Sequence, residues 1–261
     1  TLFIVGGAGS GKTECALSMP GPITIVSVDP NTRAIVEKSE RDDITPHYIT
    51  MPALAFDDRE DVKDEAMEKW EQLRGVLRPI VKGDDDCRSV VLDTGTEQYQ
   101  LGILAAFGKS DQIAPDTRRN MMGPVNSRWK GIVAALEQRG INVCLIHRAK
   151  DEWISVVEDT DKGEREVRRK LTGPFNMERE GFNGTPFMVS TEIFLAFDPN
   201  RESTNVAGKF GAKVVRSQQR PGIINTEYWG REKIDGVRVR RTSFPYLATQ
   251  LYPGTSLSEW S

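Results

Sequence analysis

The chain has 261 residues, 38% of them apolar and 28% charged, with a formal net charge of −3. It suits one large α/β domain, or a domain with an appendage, and no run approaches the roughly 20 apolar residues that cross a bilayer as a helix. Cys15, Cys87 and Cys144 lack metal-ligand spacing, so a reduced intracellular protein with no zinc site and no membrane partner is expected.

Leu2-Phe3-Ile4-Val5 is a short apolar run suited to a buried strand, and the segment after it is Gly6-Gly7-Ala8-Gly9-Ser10-Gly11-Lys12-Thr13. This is a complete G-x-x-x-x-G-K-[ST] loop, and a helix is expected over 12–19, stopped by Pro20-Gly21. Glycines let successive backbone N–H groups close around phosphate oxygens, and the helix start adds partial positive charge. Lys12 is expected to reach the β- and γ-phosphates of ATP, and the Thr13 hydroxyl to ligate Mg²⁺. The nucleotide-binding segment is Gly6–Thr13 together with Glu14. Thr1 is not an initiator Met, so residues preceding it are expected in the full protein.

Downstream, apolar runs alternate with helical patterns, the signature of βαβ units in a mainly parallel sheet. Strands are expected at 23–28, 47–50, 88–92 and 141–146, and helices at 31–39, 60–80, 95–107 and 125–139. Over 60–80, Val62, Ala66, Met67, Trp70, Leu73 and Leu77 form a core stripe at helical spacing. Ser89-Val90-Val91-Leu92-Asp93-Thr94 is an apolar strand ending in a carboxylate. Parallel strands turn their C-terminal ends to the ligand crevice, so Asp93 is expected to hold Mg²⁺, through water or through Thr13. Two acids qualify to orient an attacking water: Asp29, at the end of the second strand, and Glu97, one turn beyond Asp93. Either could instead compensate a helix dipole. His147 ends the strand 141–146, where it could hydrogen-bond the γ-phosphate or serve structure alone.

From about residue 151 the texture changes. Trp153–Val157 and Glu166–Leu171 flank Asp159-Thr160-Asp161-Lys162-Gly163 and read as a β-hairpin. A Gly/Pro-rich stretch, Thr172–Pro186, precedes strand candidates Glu192–Phe197 and Ala212–Ser217. The last forty residues mix turns with a basic run and give no assignable element. Residues 201–241 carry ten Lys/Arg against four Asp/Glu, a local +6 that leaves about −9 elsewhere. A core over 1–220 and a basic C-terminal extension over 221–261 packed on it are expected.

The order and spacing of these pieces resemble RecA-like ATPases, most closely the phage nucleotide-binding proteins of the Sak-type recombinase group. The matching residues are Gly6–Thr13, Val90–Asp93, Asn142–His147 and Ala212–Gln218. The resemblance implies a RecA-like P-loop NTPase core, its mainly parallel sheet flanked by helices, with a hairpin-rich C-terminal extension. It further implies a cytoplasmic ATPase (host cytoplasm for a phage protein) that acts on single-stranded DNA and assembles into a ring or filament, with phage or host recombination and replication proteins as partners. By the same resemblance Asp29 stands near the catalytic-acid position and His147 at the γ-phosphate sensor. Arg216, with Lys213 behind it, becomes a cation acting on a neighbour's nucleotide. Asp29 is shorter than the Glu of RecA, and His147 replaces its Gln. DNA-contacting loops are expected within 108–130 (Lys109, Arg118, Arg119, Arg128, Trp129, Lys130) and 172–186 (Phe175, Arg179, Phe182, Asn183), or in 201–241. Trp129 fits better as a core residue of the helix at 125–139, and Phe175 and Phe182 could equally anchor a loop. A second reading is a nucleotide-dependent assembly or loader ATPase that handles a protein partner, since fold does not fix function.

Overall fold

In the computed structural model, residues 1–52, 59–108, 122–160, 163–180, 188–203, 205–234 and 236–260 are described. The first half alternates strand and helix: β1 (Leu2–Gly6), α1 (Lys12–Ala16), β2 (Ile23–Ser27), α2 (Thr32–Lys38), β3 (Ile44–Tyr48), α3 (Arg59–Lys82), β4 (Ser89–Asp93), α4 (Gly95–Phe107) and α5 (Gly123–Gln138). β5 (Asn142–Asp151), the hairpin β6 (Trp153–Thr160) and β7 (Gly163–Lys170), β8 (Met177–Arg179) and β9 (Thr191–Phe197) follow.

Six strands pair in parallel in the order β9-β1-β5-β4-β2-β3. Every residue of β1, β2 and β4 is buried. A parallel strand covered on both faces has no polar side to show, so its sequence is a continuous apolar run. β3 lies at the edge and tolerates Pro46, whose missing N–H leaves no inner ladder bond unmade. Successive side chains of β1 feed two cores. Phe3 and Val5 pack with Trp70, Leu73, Leu104 and Trp129 beneath α3, α4 and α5. Leu2 and Ile4 pack with Cys15 and Met19 on the opposite face.

Trp129 is fully enclosed, its ring 6.5 Å from those of Trp70 and Tyr99. It is a core residue and offers no face to a nucleic-acid base. Phe175 is likewise buried, 5.2 Å from Trp229, and Arg179 pairs with Glu192 at 3.0 Å. Lys109, Arg118, Arg119, Phe182 and Asn183 lie outside the described residues.

Several boundaries differ from expectation. α1 ends at Ala16, before the expected 19. α3 runs past Pro79 to Lys82. The third strand begins at Ile44 where 47 was expected, because its pairing with β2 carries it further back. β5 extends to Asp151, since β8 pairs with its outer end.

The last part of the chain completes both the sheet and the second core. β10 (Phe210–Ser217) runs antiparallel to β9, and β11 (Glu227–Trp229) antiparallel to β10. A hairpin of β12 (Arg231–Ile234) and β13 (Val237–Arg240) leads to α6 (Phe244–Leu251). Phe244, Tyr246, Leu247, Ala248 and Leu251 of α6 join the core that holds Leu2 and Ile4. The three cysteines are free and buried. Among the described residues no helix is long and apolar enough to cross a membrane.

Candidate nucleotide site

A cleft of about 610 Å³ opens at the C-terminal ends of the parallel strands, within the range of small-molecule sites. Its floor is the whole segment Gly6–Glu14. A Cβ on Gly6 would stand 2.4 Å from Ser10 Oγ and 2.5 Å from Leu195 O, so only glycine lets the loop turn this closely over β9. Gly11 has φ of 85°, left-handed backbone that sets up the first turn of α1.

Lys12 Nζ donates to Gly6 O at 2.8 Å and Gly7 O at 2.7 Å, so the ammonium is tethered inside the loop. Burial pushes its pKa below the usual lysine range, against the opposing pull of Asp93 and Asp29. Thr13 Oγ1 donates to Asp93 Oδ2 at 3.0 Å. Thr32 Oγ1 donates to the same oxygen at 2.6 Å, and Ser27 Oγ donates to Thr32 Oγ1 at 2.9 Å. Asp93 is buried, which raises its carboxyl above the ordinary range, while the Thr32 and Thr13 hydroxyls pull it down. The Asp93–Thr94 peptide is cis.

The expected site residues are distributed unequally around this cleft. Gly6–Glu14, Asp29 and Asp93 line it together. Asp29 is half-buried, and its Oδ1 accepts from the backbone N–H and the side-chain amide of Asn31, both at 2.9 Å. Glu97 is not in the lining. It ion-pairs with Arg148 at 2.7 Å, and burial raises its pKa, with Arg148 opposing. Arg148 itself reaches the cleft wall.

His147 lies outside the lining, fully enclosed, edge-on to Phe3 with ring centroids 4.5 Å apart. Its Nδ1 meets Glu180 O at 2.9 Å. A carbonyl only accepts, so Nδ1 carries the hydrogen and Nε2 is the bare nitrogen. Burial holds its pKa down at about 4. Arg216 sits opposite Glu192, which pairs with Phe3. That places it about 10 Å down the sheet from Gly6 of its own chain.

Three cleft neighbours, Thr32, Asn31 and Arg148, were not singled out from sequence. Strand alternation carries a signal for Arg148, because His147 and Arg148 must face opposite sides of the sheet. Thr32 gives no local sign, since its partner Asp93 is 61 residues away.

A nucleoside triphosphate with Mg²⁺ fits what is present. Lys12, the Thr13 hydroxyl and the Asp93 carboxylate line one cleft, and Ser10 Oγ in the loop is buried and unpartnered. β5 separates the strand feeding the loop from the strand bearing Asp93, yet Thr13 and Asp93 are hydrogen-bonded. No curated protein matches the chain. A family model described as an AAA domain matches residues 1–176, which contain the loop, Asp93, Glu97 and Arg148, and the chain belongs to that family of P-loop ATPase domains.

Proposed function

We propose that the chain is an ATP-hydrolysing, RecA-like ATPase of the phage Sak type, acting on single-stranded DNA in recombination or annealing, with ATP held between two copies. The observation that carries the ATPase reading is the 3.0 Å hydrogen bond from Thr13 Oγ1 to Asp93 Oδ2, which brings the loop and the acidic strand tip to one point. Thr13 and Asp93 would hold Mg²⁺ there, and the bound ion would neutralise charge on the phosphates. Lys12 would exchange its two loop carbonyls for phosphate oxygens. Asp29, in the wall of the same cleft, would orient water; Glu97 lies outside the lining with one carboxylate oxygen paired to Arg148.

The DNA part rests on the family resemblance and on the +6 concentrated in 201–241. The shared site rests on Arg216. Its position away from its own loop supports a contact with a neighbour's nucleotide. Phosphate release is the test, measured at low salt with and without oligo(dT). Stimulation by DNA that fades as salt rises is expected. Hydrolysis indifferent to DNA removes the recombination reading, and no hydrolysis at all removes the ATPase.

One observation favours the assembly or loader reading. The β6–β7 ribbon exposes Trp153 (47%), Ile154 (40%) and Val157 (63%) with no third strand among the described residues, and two-stranded ribbons are marginal in water. Gel filtration with and without ATP separates the two readings. ATP-driven assembly without DNA affinity supports the protein-handling one.

A further inference from the structure

The β12–β13 hairpin keeps one face against the protein and turns the other to solvent. Residues paired across an antiparallel ladder share a face, and successive residues alternate. Arg231 is opposite Arg240 and Lys233 opposite Arg238, while Glu232/Val239 and Ile234/Val237 occupy the alternate face. Ile234 and Val239 pack against the second core, so the four cations stand together on the outer face, and all four are exposed. Glu232, on the inner face, pairs with Arg241 at 3.1 Å. Among the described residues Arg231, Lys233, Arg238 and Arg240 make no ion pair.

Like charges directly opposite one another destabilise a ladder, and here that happens twice on one face. At the backbone the result is a two-by-two array, about 5 Å across the strands and about 7 Å along them. This spacing resembles that of successive phosphates along an extended nucleic-acid strand. The four cations lie open to solvent on one face of the ribbon. The four positions that share this face of the ladder include no aromatic residue, so recognition through them is of the backbone and not of the bases. Gly230, immediately before β12, donates its N–H to Phe210 O at 3.1 Å, and the Phe210 ring lies 3.7 Å from where a Cβ on Gly11 would stand. The array therefore hangs on a strand that touches the phosphate loop.

We propose that Arg231, Lys233, Arg238 and Arg240 form a binding face for the phosphate backbone of single-stranded DNA, without base selectivity. The assignment rests on the single-stranded-DNA reading above and adds where the strand lies. The test is fluorescence anisotropy of labelled oligo(dT) across a salt series, with the full chain and the double variants Lys233→Gln/Arg238→Gln and Arg231→Gln/Arg240→Gln. Each single-strand phosphate contact contributes about 0.7 to the slope of log affinity against log salt, so each double variant should lower that slope by about 1.4. Binding near physiological salt should weaken at least about tenfold, with the affinity for ATP unchanged.

Should a double variant fail to fold, Arg238→Gln and Arg231→Gln alone should each remove about 0.7 from the slope. Unchanged affinity and slope in the variants, with the parent chain binding oligo(dT), overturns this face and leaves the DNA reading intact. A parent chain that does not bind oligo(dT), with or without ATP, overturns both. Variants that lose binding to phosphatidylserine vesicles but keep DNA overturn it in favour of a membrane surface.

Discussion

Lys12 is tied to two carbonyls of its own loop, so its ammonium already stands where phosphate oxygens would arrive. Hydrogen bonds from a charged donor are worth about 1.5–3 kcal/mol each. Lys12→Ala should therefore weaken nucleotide binding at least about tenfold and abolish phosphate release, read by a fluorescent nucleotide analogue and a phosphate assay. His147 makes a different prediction. Its pKa of about 4 in the folded chain lies below the ordinary histidine value of 6.5, because burial disfavours the charged ring. The unfolded chain binds the proton first, so stability falls as pH drops from about 6.5 toward 4, by up to about 3 kcal/mol. Thermal melts of the parent should show that loss, and His147→Asn should flatten it. An equally steep acid limb in the variant would assign the loss to other groups.

The start of α4 and the end of β5 are fitted to each other. A Cβ on Gly95 would stand 2.7 Å from His147 Nε2, and the ring is held by Phe3 on one side and Glu180 O on the other. Gly95→Ala gains helix propensity of up to about 1 kcal/mol, but it must push a buried ring out of place. A net loss of about 1–2 kcal/mol in urea unfolding is expected, with weaker catalysis following the shift of α4. Long elements were legible in the sequence because their patterns are long. The 60–80 stripe places Trp70, Leu73 and Leu77 in the core as expected, and the hairpin at 153–170 is present. β11, β12 and β13 have three or four residues each, too few for period 2 to stand out from a basic run.

Across the whole molecule, the C-terminal residues close the second core beneath the strands that feed the phosphate loop. Leu247 is buried there among residues from both ends of the chain. Leu247→Ala should cost about 2–5 kcal/mol, seen as a lower melting temperature, while nucleotide affinity at low temperature stays unchanged. Loss of affinity in the folded variant would instead couple this core to the cleft.

Local chemistry was written in the chain itself: a glycine loop before a helix, and apolar runs ending in Asp29, Asp93 and His147. Backbone rules and strand period act over a few residues, so they can be read without the fold. Which of those groups share a space was decided only by strand order. The parallel run of β1, β5 and β4 puts their ends at one edge, where Thr13 meets Asp93 across β5, and alternation along β5 enclosed His147 while sending Arg148 to the cleft wall. The bond from Thr32 to Asp93 likewise spans 61 residues, a distance over which neither propensity nor periodicity carries information.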